Sequence, residues 1–254
     1  MRLCRRTKEV GGELGSLARD KLIVALDVET APRARELFSA LRDVAAMFKI
    51  GMQLFTAVGP TIVHEIIDAG GRVFLDLKYH DIPNTVAAAG VEAARHGISI
   101  FNVHTSGGAE MMRRTAEAVA EVSAREDLVR PRIIGVTLLT SANARVLAEI
   151  SVVKSPEQQV TALAQLAAAS GLDGVVASPL EVAAVRAAVA KQDFLIVTPG
   201  VRPSGTKPND QKRLMTPAEA IRAGSDYLVV GRPIIDAADP AEAARQIVKE
   251  MGEA

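Results

Sequence analysis

From residue 22 onward, short apolar segments alternate with longer segments in which Ala and Leu recur at helical spacing. The short segments are rich in Val, Ile and Phe and lack strict polar–apolar alternation, which is typical of strands buried on both faces of a parallel sheet. The pattern therefore predicts eight strands separated by helices. The strands are predicted at residues 22–27, 45–50, 72–77, 98–103, 132–138, 172–177, 194–198 and 226–230.

Prolines and glycines indicate where the intervening helices begin and end. Thr30 opens the first helix, and Pro60 opens another that stops at Gly70. Eight β–α alternations match a single-domain (β/α)8 barrel, the TIM-barrel fold. A doubly wound open sheet is the alternative, but it more often has fewer strands, and no Gly-x-Gly-x-x-Gly motif follows the first strand. Further helices are predicted to begin at Pro83, after Gly107–Gly108, and at Pro156, Pro179, Pro217 and Pro240.

Charged residues stand at the ends of the first three predicted strands. Asp27 ends the first strand and Lys49 the second. Asp76 and Lys78 end the third, where strand alternation puts both side chains on one face. An isolated Asp-x-Lys pair is most often a simple salt bridge. In a barrel, however, all these strand ends lie on the face that carries active sites, so we predict that the four charges converge on one site. Other polar residues at strand ends are His104, Thr137, Thr140 and Ser178.

The last two strands lead into segments suited to a phosphate. Strand seven runs into Pro199, Gly200 and Arg202, and strand eight into Gly231 and Arg232. Glycine allows close backbone approach, and arginine can bind a phosphate bidentately. An ordinary cation at the barrel rim is the alternative for Arg232.

The long polar loop after strand seven, residues 203–214, is predicted to be a lid over the site. Gln211 is the candidate to reach from this lid onto a bound ligand, because its amide both donates and accepts hydrogen bonds.

Composition narrows the class of protein further. Hydrophobic residues make up 48% of the 254, enough for a large core, and the formal net charge of zero argues against nucleic-acid binding by bulk basicity. No apolar run approaches a membrane span, and Cys4 is the lone cysteine, which suits a cytoplasmic protein. Residues 1–20 lack the apolar region of a secretory signal, and their acidic residues count against a transit peptide. We predict that they form a disordered or alternative-start extension before a barrel at 21–254.

The motifs together resemble those of orotidine 5′-phosphate decarboxylases over nearly the whole chain after residue 20. The most specific is Asp76-x-Lys78-x-x-Asp81-Ile82-Pro83-Asn84-Thr85. The other matching segments, in the family's order, are Leu26-Asp27, Phe48-Lys49-Ile50-Gly51, Asn102-Val103-His104, Val136-Thr137-Leu138-Leu139-Thr140-Ser141, Thr198-Pro199-Gly200-Val201-Arg202-Pro203 and Val230-Gly231-Arg232.

The resemblance implies cofactor-free loss of CO₂ from orotidine 5′-phosphate to give UMP, the last step of pyrimidine nucleotide synthesis. Lys78 would stabilise and protonate the C6 carbanion, and Asp76 would face the leaving carboxylate. Lys49 and Asp81 would complete an alternating charge array with this pair. The family is homodimeric, and Asp81 and Thr85 would act across the interface in the partner's site.

The resemblance also implies the contacts with the substrate. Asp27 and Lys49 would hold ribose hydroxyls with help from Thr85, and Thr140 or Ser141 would meet the pyrimidine edge. The remaining contacts would come from Pro199 on the base, Gln211 between base and phosphate, and Arg202, Gly231 and Arg232 on the phosphate.

Three other readings can be weighed against this one. His80 and His104 suggest a metal site, but His80 points away from the Asp76 and Lys78 face if the strand pattern extends that far, so we predict no metal. A metal-dependent sister enzyme, such as a sugar-phosphate decarboxylase or hexulose-phosphate synthase, would share Asp-x-Lys-x-x-Asp and the phosphate end. A silent nucleotide-binding barrel would gain nothing from a carboxylate facing that of its ligand.

Overall fold

The computed structural model describes residues 18–203 and 215–254, which form a closed barrel of parallel strands. The strands pair in sequence order from β1 to β8, and β1 closes the barrel by pairing with β8. The predicted TIM barrel is thus confirmed. The strands are β1 (Leu22–Ala25), β2 (Met47–Gly51), β3 (Arg72–Tyr79), β4 (Ile100–His104), β5 (Arg132–Val136), β6 (Gly174–Val176), β7 (Leu195–Pro199) and β8 (Tyr227–Val230).

Helices cover the outside of the barrel. They are α1 (Ala31–Leu41), α2 (Met52–Val58), α3 (Thr61–Asp68), α4 (Pro83–Arg95), α5 (Gly108–Arg125), α6 (Ala144–Glu149), α7 (Pro156–Ala169), α8 (Val182–Ala188), α9 (Pro217–Arg222), α10 (Arg232–Ile235) and α11 (Pro240–Gly252). The Thr30 side chain caps α1 by accepting from the Arg33 N–H, and Gly70 adopts a φ of +85° just after α3 ends. The predicted start of α1 and the predicted end of α3 are thus explained by a side-chain cap and by a glycine in a left-handed conformation.

Two apolar layers explain why the strands lack polar–apolar alternation. One set of alternate positions, including Ile23 and Phe74, fills the barrel interior. The other set, including Val24 and Leu75, packs against the helices. Because both faces of each strand are buried, a continuous apolar run is the expected pattern.

The amino-terminal boundary differs slightly from the predicted one. Residues 18–20, assigned above to the extension, are helical, with Ala18 buried in the core. The Arg19 guanidinium donates to the carbonyl of Arg42, which follows α1. These three residues therefore belong with the barrel, whereas residues 1–17 lie outside the described part of the chain.

Within residues 18–203 and 215–254, no helix combines the length and the apolarity needed to cross a bilayer.

Candidate active site

A cavity of about 290 Å³ opens at the carboxyl ends of the strands. Its walls include residues from all eight strands or from the loops that follow them, as expected for a barrel of this kind. Most of the predicted site residues line it together. They are Asp27, Lys49, Asp76, Lys78, Thr140, Pro199, Arg202, Gly231 and Arg232.

Four of these side chains form a continuous array of alternating charge. The Lys49 ammonium donates to Asp27 Oδ1 at 2.6 Å and lies 3.3 Å from Asp76 Oδ2. The Lys78 ammonium donates to Asp76 Oδ1 at 2.6 Å. The order Asp27–Lys49–Asp76–Lys78 brings together charges from three strands that are distant in sequence. The four strand-end charges therefore converge as predicted. The array that the resemblance implied included Asp81, whereas the array within this chain has Asp27 and not Asp81.

Because the array is largely buried, each of its charges depends on its oppositely charged neighbours. Lys49 is only 7% exposed, and the Asp76 side chain is 13% exposed. A buried charge without a partner is strongly unfavourable, whereas each of these is surrounded by opposite charge. Removing one member would therefore leave the charge of its neighbour without a partner. The intact ion pairs hold both lysines in place.

Strand β3 places Asp76 and Lys78 through an irregularity as well as through alternation. Leu75 pairs with Phe101 and Tyr79 with Val103, so the intervening residues of β3 bulge out of the ladder. Lys78 adopts a φ of +52°, a left-handed conformation that is costly for a residue with a side chain. Such strain is often found at functional sites, where the surrounding contacts hold it.

Asn102 belongs to the site although no role was predicted for it. Its Oδ1 accepts from the backbone N–H of Lys78 at 2.8 Å, and its Nδ2 donates to Asp76 Oδ1 at 2.7 Å. The side chain lines the cavity, and the residue is 1% exposed. The available signal was a lone polar residue within the apolar segment Ile100-Phe101-Asn102-Val103.

The cavity wall also carries the cations proposed for a phosphate. Arg202 follows β7, and Arg232 begins the short helix α10 directly after Gly231. Both arginines line the same cavity as the charge array. Because β8 pairs with β1, Gly231 lies close to the array, and a methyl group on it would be 3.8 Å from Asp27 Oδ2. Together the two arginines and the array can orient an elongated anion.

Apolar residues line the rest of the cavity wall. Phe74, Val136 and Val197 line the cavity from the barrel interior, and Leu138 and Pro199 line it nearer the mouth. A flat ring can lie against such a wall while its substituents meet the polar groups of the cavity. Sequence reasoning identified Pro199 here but not the apolar side chains.

Two predicted site residues do not line the cavity of this chain, and a third lies outside the described residues. Asp81 and Thr85 are exposed and do not line it, and the Asp81 carboxylate accepts from the neighbouring Ile82 N–H at 2.6 Å. Ile82 itself is 67% exposed, an unusual setting for a large apolar side chain. Gln211 lies outside the described residues.

The two histidines near the site pack against each other. The rings of His80 and His104 have centroids 5.5 Å apart, and neither residue lines the cavity. Burial, together with the nearby charges of His80 and Lys78, lowers the pKa of His104. Among the described residues, no group of three or more His, Cys, Asp or Glu side chains is arranged to hold a metal ion.

Comparisons with known proteins agree with this geometry. The model of the orotidine 5′-phosphate decarboxylase / HUMPS family matches residues 20–247. An orotidine 5′-phosphate decarboxylase of Syntrophotalea carbinolica is 56% identical over 93% of this chain and 97% of its own length, and one of Geobacter sulfurreducens is 53% identical over 92% and 97%. The crystal structure of orotidine 5′-phosphate decarboxylase from Lactobacillus acidophilus superposes with a TM-score of 0.80 at 37% identity, covering 91% of this chain and 99% of that one. The chain therefore belongs to the orotidine 5′-phosphate decarboxylase / HUMPS family.

Proposed function

We propose that this chain is a carboxy-lyase that converts orotidine 5′-phosphate to UMP and CO₂, the last step of de novo pyrimidine nucleotide synthesis. Family membership and relatives more than half identical over nearly their full length support the activity. The observation that carries the proposed mechanism is the Lys78 ammonium, held 2.6 Å from Asp76 inside a cavity that Arg202 and Arg232 also line. No metal or organic cofactor takes part in the proposed reaction.

Lys78 is the group that meets the reacting carbon. Loss of CO₂ from C6 leaves negative charge in the plane of the pyrimidine ring, where no adjacent carbonyl can delocalise it. An ammonium fixed at that carbon stabilises the charge as it develops and then supplies the proton. The side chain of Lys78 is 24% exposed, so little water competes with the ring for this cation.

Asp76 lies against the substrate carboxylate in this scheme. Its repulsion of that carboxylate is present in the ground state and is relieved as CO₂ departs, so it favours the transition state over bound substrate. Its contacts with both Lys49 and Lys78 hold it in position while it does so.

The remaining contacts orient the substrate. Asp27 and Lys49 hold the ribose hydroxyls, while Thr140 or Ser141 meets the pyrimidine edge and Pro199 packs on the base. Gln211 bridges base and phosphate. Arg202, Gly231 and Arg232 hold the phosphate, and this remote binding energy contributes to the rate. The loop predicted as a lid lies outside the described residues from 204 to 214.

We also propose that the working unit is a cytoplasmic homodimer. Asp81 and Thr85 are exposed at the barrel mouth and do not line the cavity of their own chain. The exposed apolar side chains of Met52, Ile82 and Leu139 follow strands β2, β3 and β5 at the same end of the barrel. A partner seated on this face would bury them and receive Asp81 and Thr85 into its own site.

A metal-dependent sugar-phosphate enzyme is the second candidate, because the matched family model also covers the HUMPS group. The two functions separate in one assay, the loss of orotidine 5′-phosphate absorbance with purified protein in excess EDTA. Conversion to UMP is the expected result. No conversion, followed by activity on a sugar phosphate once Mg²⁺ is restored, would support the second function instead. Silence in both assays with tight UMP binding would indicate a non-catalytic nucleotide-binding protein.

The role of Lys78 is tested by Lys78→Ala. We expect turnover to fall below detection while UMP still binds, because the ammonium acts on charge that develops only in the transition state. Lys154→Ala, which removes an exposed lysine outside the cavity, is the matched control and should retain full activity. Comparable turnover in Lys78→Ala and the control would remove Lys78 from its proposed role.

A further inference from the structure

Asn102 interrupts an otherwise apolar strand at a completely buried position. It is 1% exposed, and its neighbours in β4, Phe101 and Val103, are fully buried in the apolar core. A buried amide needs partners for both its donor and its acceptor atoms. Both of the partners that Asn102 has are parts of the charge array: the backbone of Lys78 and the carboxylate of Asp76.

The acceptor atom of Asn102 compensates for the bulge in β3. Between the pairs Leu75–Phe101 and Tyr79–Val103, strand β3 has more residues than β4, so the regular ladder cannot satisfy the backbone there. The Lys78 N–H instead donates to Asn102 Oδ1 at 2.8 Å. The side-chain amide therefore replaces a missing backbone acceptor at the residue whose φ of +52° is strained.

The donor atom of Asn102 fixes the carboxylate of Asp76. Asp76 Oδ1 accepts from Asn102 Nδ2 at 2.7 Å and from the Lys78 ammonium at 2.6 Å, while Oδ2 faces Lys49 at 3.3 Å. Both oxygens are thus engaged, and Asn102 is the neutral partner that sets the plane of the carboxylate. A carboxylate at position 102 would keep the acceptor toward Lys78 but lose the donor toward Asp76.

We propose that Asn102 is a positioning residue for decarboxylation, which locks the Asp76 carboxylate and the Lys78 backbone into one geometry through a single amide. The proposal rests on the roles given above to Asp76 and Lys78. Because one side chain holds both members of the pair, its loss would let the ammonium move relative to C6. Displacements of about 1 Å commonly cost on the order of 100-fold in rate.

Two substitutions at this position separate positioning from simple packing. Asn102→Ala removes both hydrogen bonds, and we expect kcat to fall about 10- to 100-fold while the Kd for UMP changes less than about 3-fold. Asn102→Asp keeps the size and the acceptor but sets a carboxylate against Asp76. Because like charges at this distance raise the pKa of one carboxyl, the substituted group takes up a proton as the pH falls and can then donate to Asp76.

The closing experiment measures kcat and UMP affinity for wild type, Asn102→Ala and Asn102→Asp between about pH 8 and about pH 5.5, with the Tm of each protein. We expect the ratio of Asn102→Asp to wild-type kcat to rise as the pH falls, a recovery that a packing role would not produce. Thr115→Val is the control: Thr115 is fully buried within α5, donates only to the Met111 carbonyl, and lies outside the cavity. It should keep wild-type kcat and a flat ratio.

Several results would overturn the proposal. They are wild-type kcat in Asn102→Ala, a ratio for Asn102→Asp that does not change with pH, or a loss of kcat matched by an equal loss of UMP affinity. Should Asn102→Ala fail to fold, the isosteric Asn102→Asp carries the test by its pH dependence. Absence of decarboxylation by the wild type itself would instead refute the proposed function, so the two failures are distinct.

Discussion

At the scale of single residues, the site depends on how closely charged atoms are packed around Lys49. Its ammonium contacts carboxylates from two different strands, and Gly51, two residues further along β2, lies beside it. A methyl group on Gly51 would come within 3.1 Å of both Lys49 Nζ and Asp27 Oδ1. That distance is tighter than van der Waals contact allows without a shift of the charged side chains.

Gly51→Ala should therefore disturb substrate binding more than folding. The φ of −91° at Gly51 suits an alanine, so the backbone adds no strain. We expect KM to rise several-fold because Asp27 and Lys49 hold the ribose, with a smaller change in kcat. Steady-state kinetics and a thermal melt measure both effects.

Gly252→Ala is the matched control for this substitution. Among the described residues, a methyl group there meets only Ala18 Cβ, at 4.0 Å, and Gly252 ends α11 and does not line the cavity. KM in this variant should equal that of the wild type. An unchanged KM in Gly51→Ala as well would mean that Asp27 and Lys49 do not contribute to ribose binding.

Individual side chains were predictable from the sequence where strand alternation indicates their direction. Asp76 and Lys78 are two residues apart in β3, so the period of β-structure predicts a common face, and their side chains do meet even though a bulge interrupts the ladder there. Asn102 is different, because its importance depends on the register between β3 and β4 and on a bulge between them. Neither is encoded by spacing within one segment, and so its two contacts with the array could not be anticipated.

At the scale of secondary-structure elements, the phosphate end of the cavity is built from two turns that follow adjacent strands. β7 and β8 pair in parallel, so Arg202 and Arg232 emerge side by side at the barrel mouth. The chain turns into α10 directly after β8, which leaves Gly231 and Arg232 at the cavity wall. Two adjacent turns thus supply both cations.

Arg232→Ala tests this arrangement. A hydrogen bond to a charged group contributes about 1.5–3 kcal/mol, so we expect KM for orotidine 5′-phosphate to rise about 10- to 100-fold. Arg245→Ala is the control, since Arg245 is an exposed residue of α11 whose guanidinium pairs with Glu242. Its KM should stay at the wild-type value. An unchanged KM in Arg232→Ala would place the phosphate elsewhere in the cavity.

Element boundaries were predictable wherever a proline or a cap marks them. Helices α4, α7, α9 and α11 all begin at a proline, at Pro83, Pro156, Pro217 and Pro240. The short helices α2 and α6 were not predicted. Gly51, which precedes α2, has no side chain to cap it, whereas Asn143 does cap α6 by accepting from Arg145 and Val146. The signal for α6 was therefore present in the sequence, and that for α2 was absent.

At the scale of the whole molecule, the fold was predictable because eight apolar segments at regular intervals have few other ways to pack. The assembly of the site is harder to predict from periodicity. The charge array closes within one barrel, but Asp81 and Thr85 are exposed and do not line its cavity. Only the resemblance of the signature motif suggested that they act in a second subunit.

Mixed dimers can test it directly. A subunit with Lys78→Ala retains Asp81, and a subunit with Asp81→Ala retains Lys78, so each homodimer is expected to be inactive. If Asp81 acts across the interface, the hybrid contains one site with the Lys78 of one chain and the Asp81 of the other. Random reassembly of equal amounts makes about half of the dimers hybrids, each with one working site, so about a quarter of wild-type activity should return. Activity is measured after refolding the two variants together, with the separately refolded variants as controls. If Asp81 instead acted in its own subunit, every site in the hybrid would lack one residue, and the mixture would stay inactive.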